Sequence, residues 1–345
     1  MKMRSKTITP YLLFALIAAI LPAFFSSQYI AGVGTMVFLF AFWALAWDFI
    51  GGYTGQMALG NGIYIGIGAF FTGAFFKYLN ISPWVGIIMA GLICAVVATA
   101  IAFPIFRLHG TYFAISTTAM LYVLRLVWQE NRYILGFDMG GTTGLKLPWY
   151  GGFMSMQFLD KTVYYYISLI FLIGLMVITY FVENSKTGYY FQAIRSNQDA
   201  AASMGIHVQK YKAMAQFMSA FFLGMGGGIY AMFMQYVDPN RAMGYDMALQ
   251  VVLYAVIGGR ASVWGPVLAT VILYPINELI RSTLASQYAG ISTLFYGVAL
   301  MIVIYFLPGG IVTYFHKLYE NIWAKLSGKK KTSPVKTEKE GRADE

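Results

Sequence analysis

The sequence predicts an all-α polytopic membrane protein of about ten transmembrane or half-membrane helices. Three observations lead there. Of 345 residues, 59% are hydrophobic and only 11% charged, against about 25% charge in a soluble domain, so the chain cannot clothe a surface in water-compatible groups. Its mean hydropathy is +0.62. The apolar residues gather in runs of roughly twenty, the length that crosses a hydrocarbon core as a helix.

Taken in order, the runs fall near 11–27, 30–50, 57–78, 84–106, 112–130, 162–182, 212–236, 247–258, 263–283 and 291–307. The first follows Lys2, Arg4 and Lys6 and ends in small residues, so a cleaved signal peptide is its alternative reading. The 57–78 run is interrupted by glycine and 247–258 is too short to cross, which makes either one a re-entrant segment or half-helix. Lys325, Lys329, Lys330 and Lys331 follow the last run. The positive-inside rule then places both ends of the chain in the cytoplasm with an even number of crossings. Residues 1–10 form a cytoplasmic N-terminus and 11–310 the membrane domain, with 131–161 outside and 183–211 inside. The segment 327–345, rich in charge and nearly free of apolar residues, is expected to be a disordered cytoplasmic tail.

Composition also excludes. The net charge of +10 lies at the two ends and in short loops, the distribution of orienting charge and not of a nucleic-acid surface. Cys94 is the one cysteine, so neither an internal disulfide nor a thiolate metal site is possible. His109, His207 and His316 sit at predicted boundaries, apart from any acid in a shared span, and no HExxH or GxSxG sequence occurs, which speaks against a membrane hydrolase. A proton- or sodium-driven carrier usually keeps buried carboxylates, whereas Asp48, Glu130 and Glu278 all fall near predicted helix ends. Lys77, Arg107 and Arg281 do the same. Arg125 is the deepest charge, and it either faces a solute path or serves packing or an ion pair at the helix end, where Glu130 lies just over a turn away.

One stretch breaks the apolar pattern: AIRSNQDAAASMGIHVQKYK, residues 193–212. Ser196 followed by Asp199 has capping-box spacing, and Gly205 supplies the left-handed residue that closes a helix. So short a helix is unstable alone in water. Its apolar members, Ala200, Ala201 and Met204, suit either docking in another protein's groove or lying on lipid headgroups.

Asp199-Ala200-Ala201, three residues and Gly205 resemble the Glu-Ala-Ala-x-x-x-Gly loop of ABC importer permeases. The wider phrase, from Arg195 through Met204-Gly205-Ile206 to Lys210-Tyr211-Lys212, is similar to branched-chain amino acid permeases of the LivM type. Three further stretches agree: GGYTGQMALGNGIYIGIGAF at 51–70, TYFAISTTAMLYVLRLV with GGTTGL, and VIGGRASVWGPVLAT at 256–270. The resemblance covers roughly residues 30 to 310. It departs from the general loop at Gln216-Phe217-Met218, where Ile-x-Leu-Pro is usual, and Asn61 stands where the family often has histidine.

The resemblance implies a multi-pass inner-membrane permease subunit of an ABC importer, with branched-chain amino acids the leading substrate and urea, short amides or other amino acids the alternatives. It implies a homologous permease, two cytoplasmic ATPases and an extracytoplasmic binding protein as partners, beside membrane lipid. Arg195, Ser196, Asp199, Ala200, Ala201, Met204 and Gly205 would form the coupling helix, Ala201 being small enough for close approach.

Gly52, Tyr53, Gln56, Asn61, Thr142, Gly144, Gly258 and Gly259 are the candidates for the translocation path. The 51–68 segment holds seven glycines among polar residues. It reads either as close packing, as at Gly62-x-x-x-Gly66, or as a broken helix lining a path. The loop Gly140-Gly141-Thr142-Thr143-Gly144 lacks the Lys-Ser pair of a P-loop, so ATP and Mg are expected on the partner ATPases and no cofactor, metal or catalytic residue in this chain.

Overall fold

The computed structural model describes residues 27–106, 108 and 110–284, with isolated positions 18, 297 and 301. The expected runs at 11–27 and 291–307, both termini, Arg107, His109 and His316 lie wholly or largely outside the described residues. Each of the other eight expected runs is a helix.

Helix α1, Gln28–Asp48, continues without a break into a π-helical turn, Phe49–Tyr53. Then come α2, Gly62–Leu79; α3, Pro83–Ile105; and α4, Thr111–Glu130. The 131–160 loop folds on itself through a small hairpin of β1, Tyr133–Ile134, and β2, Phe137–Asp138, followed by β3, Leu145–Lys146. Helix α5 is Lys161–Glu183, α6 Lys186–Ser196, α7 Gln198–Ser203 and α8 Val208–Met234. Strand β4, Tyr236–Val237, pairs antiparallel with β3 and leads to a single turn α9, Pro239–Ala242. Helices α10, Tyr245–Gly258, and α11, Trp264–Leu284, complete the described chain.

Among the described residues, six helical spans are long and apolar enough to cross a membrane: α1 with its π-turn, α2, α3, α4, α5 and α8. At 14 residues α10 is not one of them, which agrees with its reading as a half-helix. The expected 57–78 run needs correction. Its helix begins only at Gly62, and residues 55–60 are irregular. That backbone is tolerated because protein encloses it. Trp47 Nε1 donates to Ala58 O at 2.6 Å and Leu59 N donates to Thr117 Oγ1 at 3.1 Å.

Helices α1, α2 and α8 are apolar almost all round and occupy the core, as expected of helices without a polar face. Small residues let them close on each other. The Cα of Gly68 lies against the Gly224 backbone, and Gly227 against the carbonyl of Ile65. Gly62 packs on Gly244 and Ala248, and Gly66 on Met243. The glycine spacing of α2 is therefore a packing device that receives α10.

The bundle has two ends. At one, Gln28 bonds the Asp160 carboxylate at 2.9 Å, and Asp160 caps α5 by accepting Thr162 N–H. Tyr78 OH bonds Asp138 O there at 2.8 Å, and Trp84 Nε1 bonds Phe153 O at 2.9 Å. The other end gathers the π-turn, the end of α5, the α6–α7 hairpin and the α10–α11 link.

Asp48 corrects a second expectation. It is the last residue of α1, near a helix end as expected, but it does not reach solvent: it is fully buried, and it accepts the backbone N–H groups of Ala261 at 3.2 Å and Ser262 at 3.3 Å. A Cβ on Gly52 would overlap this carboxylate and stand 2.7 Å from Ala261 N, so only glycine admits the contact.

Candidate functional site: a capped hairpin and a polar helix face

The α6–α7 hairpin is built from caps. Ser185 Oγ accepts Gly188 N–H to start α6, and Arg195 lies in its last turn, where a cation meets the helix dipole favourably. Between the helices the capping differs from expectation. Asn197, not Ser196, is the N-cap of α7, its Oδ1 accepting the amides of Asp199 and Ala200 at 3.0 Å each. Ser196 ends α6 instead and donates back to Gln192 O. The reason is local: Asn197 has the extended backbone of a cap, φ −161° and ψ 117°, whereas Ser196 is still helical. The closing signal is as expected. Gly205 has φ +83°, and Gly205 N–H and Ile206 N–H donate to Ala202 O and Ala201 O, a Schellman closure.

The burial pattern decides which residues a partner can meet. Arg195, Asp199, Ala200 and Gly205 are exposed, and Met204 is 83% exposed. Ala201 is buried, at 4% exposure, which corrects its assignment to a contact surface. Three contacts hold the hairpin. The buried Lys212 of α8 donates to Gln198 Oε1 at 2.7 Å, and the Tyr190 and Tyr211 rings meet at a tilt, 4.9 Å between centroids. The Arg195 side chain lies against Gly55 in the segment after the π-turn. Tyr53 OH in that turn bonds Glu183 at the end of α5, at 3.2 Å.

The candidate path residues do not form one cluster. Gly52, Tyr53 and Gln56 are buried at the hairpin end, Gln56 donating to Thr54 O at 3.4 Å. Gly258 and Gly259 lie in the nearby α10–α11 link, where Gly258 meets the Gly265 backbone and Gly259 has φ +115°. Asn61 is deeper, donating to Ala248 O of α10 at 3.2 Å, while its buried Oδ1 finds no partner among the described residues. Thr142 and Gly144 are at the opposite end. Thr142 is exposed, and Gly144 packs under Tyr236 and Val237 of β4.

Sequence reasoning missed a coherent polar row. On α4, Thr118, Tyr122, Arg125 and Gln129 follow the i, i+4, i+7, i+11 spacing that puts residues on one helix face. The row faces the α9–α10 segment. Gln129 Nε2 bonds Asn240 Oδ1 at 2.7 Å, and the Tyr122 and Tyr245 rings stack at 6.1 Å. Arg125 stands over the Tyr122 ring at 5.1 Å and is not paired with Glu130. Asp246, in the first turn of α10, is exposed beside Tyr245. The helical spacing of these side chains was the available signal.

Among the described residues the one ion pair is Arg132 with Asp138, at 3.1 Å in the β1–β2 hairpin. The Arg132 guanidinium, helped by Gly140 N–H, holds the Asp138 carboxyl below the usual carboxylate range. Among the same residues no group of three histidine, cysteine or acidic side chains is placed to hold a metal.

Comparison with known proteins adds an independent finding. The family profile described as the branched-chain amino acid transport system / permease component matches residues 29–306. The high-affinity branched-chain amino acid transport system permease protein LivM of Salmonella typhimurium is 25% identical over 324 residues, covering 88% of this chain and 74% of its own. LivM of Escherichia coli is 24% identical over the same shares. A "probable branched-chain amino acid transport permease protein LivH" of Methanocaldococcus jannaschii is 28% identical over 153 residues, 44% of this chain and 45% of its own. No solved structure matches.

Proposed function

The chain belongs to the family of branched-chain amino acid transport permease components, and from that premise we propose how it works: as the membrane subunit of an ATP-driven importer of branched-chain amino acids, moved by partner ATPases through the α6–α7 hairpin. The observation that supports this most directly is the hairpin itself. It is a doubly capped, rigidly closed unit that offers Arg195, Asp199, Ala200 and the 83% exposed Met204 away from the bundle. An exposed thioether on a short helix suits an apolar cleft.

The remaining parts follow from that role. Two cytoplasmic ATPases bind ATP and Mg, since this chain has no P-loop. A homologous permease completes the membrane unit, an extracytoplasmic protein delivers the substrate, and both ends of the chain lie in the cytoplasm. The chain itself needs no cofactor and does no bond-breaking chemistry. Force on the hairpin reaches the π-turn through Arg195 at Gly55 and Tyr53 at Glu183. Asp48 passes it to the α10–α11 link by holding the amides of Ala261 and Ser262. The half-helix α10 is thereby the element that switches between outward- and inward-open arrangements. Urea, short amides and other amino acids are the alternative cargoes of the same machine.

The test is Met204→Glu, which sets a charge in the proposed cleft without touching the bundle. The variant is expected to reach the membrane at wild-type abundance and to lose ATPase on affinity purification from gently solubilised membranes. Retention of ATPase at the wild-type level would overturn hairpin docking and favour a helix lying on lipid headgroups.

A further inference from the structure

We infer that residues 149–159, in the loop between α4 and α5, are seated among phospholipid headgroups at the bundle end away from the α6–α7 hairpin, where they anchor the α2–α3 corner in the bilayer. The inference uses only the chain's place in a membrane and is independent of the transport reading above.

Four observations meet at this loop. First, it is uncharged and aromatic. Residues 147–159 read LPWYGGFMSMQFL, with no acidic or basic residue between Lys146 and Asp160. Second, its apolar side chains are turned outward. Trp149, Tyr150, Phe153, Met154 and Leu159 are exposed, Leu159 at 90%. Third, the backbone beneath them is already paired. Gln157 is buried; its Oε1 accepts Tyr150 N–H at 2.7 Å and Gly151 N–H at 3.0 Å, and its Nε2 donates to Pro148 O at 2.7 Å. Gly152 and Gln157 exchange N–H···O bonds at 3.0 and 3.2 Å. Met156 N–H donates to Phe153 O at 3.1 Å, and Tyr164 OH donates to Met156 O at 2.8 Å. Irregular backbone is tolerated beside hydrocarbon only when its polar groups find partners within the protein. Fourth, the patch continues an exposed apolar stripe on a membrane-spanning helix. Phe153 O accepts Trp84 Nε1–H and Met154 O accepts Ser82 Oγ–H, both at the start of α3. The Phe153 ring lies 5.2 Å from that of Trp84, and the Tyr150 ring meets Phe76 near the end of α2 at 5.5 Å. From that corner the exposed Val85, Ile88, Leu92 and Val96 run along one side of α3.

This arrangement matches the boundary of a bilayer. The loop is tied to the point where α2 ends and α3 begins, which is the level of the headgroups, and the stripe beyond it leads into hydrocarbon without a break. The rings of Trp149 and Tyr150, apolar with one polar atom each, suit that boundary, while Phe153, Met154 and Leu159 extend toward the acyl chains. Water alone would leave this whole apolar patch uncovered. The earlier part of the same loop has other chemistry: Arg132, Asp138 and Lys146 make 132–146 a charged surface that stays in water. One loop thus has a wet part and a lipid-anchored part.

The experiment uses the full chain, in the complex purified from its membranes and returned to vesicles of phosphatidylcholine and phosphatidylglycerol, with Cys94→Ala as the background. A nitrobenzoxadiazole fluorophore is attached at Met154→Cys, at Leu159→Cys as a second position on the patch, and at Thr142→Cys in the charged part as the control. The labels at 154 and 159 are expected to emit to the blue of the label at 142. They should lose most of their emission to lipids carrying a nitroxide near the headgroup, less to a nitroxide deep in the acyl chain, and little to iodide present on both sides of the bilayer. The label at 142 should be quenched by iodide and spared by the lipids. Quenching of either patch label by iodide to the extent seen at 142 would overturn the anchor. Patch labels that neither iodide nor nitroxide lipid reaches would overturn it as well, since another protein would then cover the loop. Equal quenching by nitroxide lipid at all three positions would overturn the division of the loop into two parts.

Discussion

Helices α4 and α5 are both open along one side of this chain, and the open sides have different chemistry. On α5 the exposed row is Tyr166, Ile170, Gly174, Val177 and Phe181, with one polar atom among five side chains. On α4 the exposed Ile115, Val123, Leu126 and Val127 are apolar too, but the row beside them, the half-buried Thr118, Arg125 and Gln129 with the exposed Tyr122, is polar throughout. Hydrocarbon accepts the first row and charges a heavy penalty for the second. The exposed apolar row of α5 therefore suits lipid, and the half-buried polar row of α4 suits contact with protein, water or solute. Exposure says where a helix is uncovered, and chemistry says by what.

The sharpest way to break this comparison is a pair of opposite substitutions. Ile170→Arg puts a charge near the middle of the α5 lipid face, at a cost of about 3 kcal/mol, and should remove most of the protein from the membrane on quantitative blotting. Thr118→Leu, which a lipid-facing helix would welcome, should leave abundance intact and reduce uptake. If Ile170→Arg is inserted normally while Thr118→Leu is silent, the two faces are equivalent and the distinction fails.

A smaller effect is expected where neither lipid nor solute is involved. Asp48→Asn leaves one carbonyl oxygen for two loop amides, so one buried N–H loses its partner at about 1–3 kcal/mol. The midpoint of thermal unfolding of the purified complex should fall, and lost uptake should follow lost protein. A midpoint at the wild-type value would mean that the Asp48 clamp does not hold the α10–α11 link.

Much of this was legible in the sequence because it depends on local composition. Apolar length gave the helices, and a lone glycine at 205 gave the end of α7. What escaped depended on partners far along the chain. Asp48 reads as a boundary charge until the amides of 261 and 262, over two hundred residues later, close around it. Ala201 reads as a contact residue from its small size, and only the folded hairpin shows it buried. Ser196 and Asn197 are adjacent candidates for one cap, and only backbone conformation separates them. The polar row on α4 was written in the spacing of its residues. Its meaning came from Asn240 in α9 and Tyr245 at the start of α10, more than a hundred residues away.

The smallest expected effect returns to the hairpin, which neither face of the comparison touches. Asn197→Ala removes the cap of α7 at about 1 kcal/mol, so ATPase affinity for the permease should weaken roughly five-fold with the bundle unaltered. Titration of purified ATPase against the detergent-solubilised permease reads this directly, and unchanged affinity would show that α7 does not need its cap to dock.

In the proposed mechanism, ATP on a partner, transmitted through α6–α7, drives a path that contains no coupling ion. Uptake of [³H]leucine into vesicles that hold the full complex, with the ATPases facing an ATP-regenerating mixture, tests it most directly when repeated with an uncoupler and with the ATPases left out. Uptake that persists in the uncoupler and vanishes without the ATPases is the predicted result. Collapse of uptake in the uncoupler at constant ATP would contradict the claim.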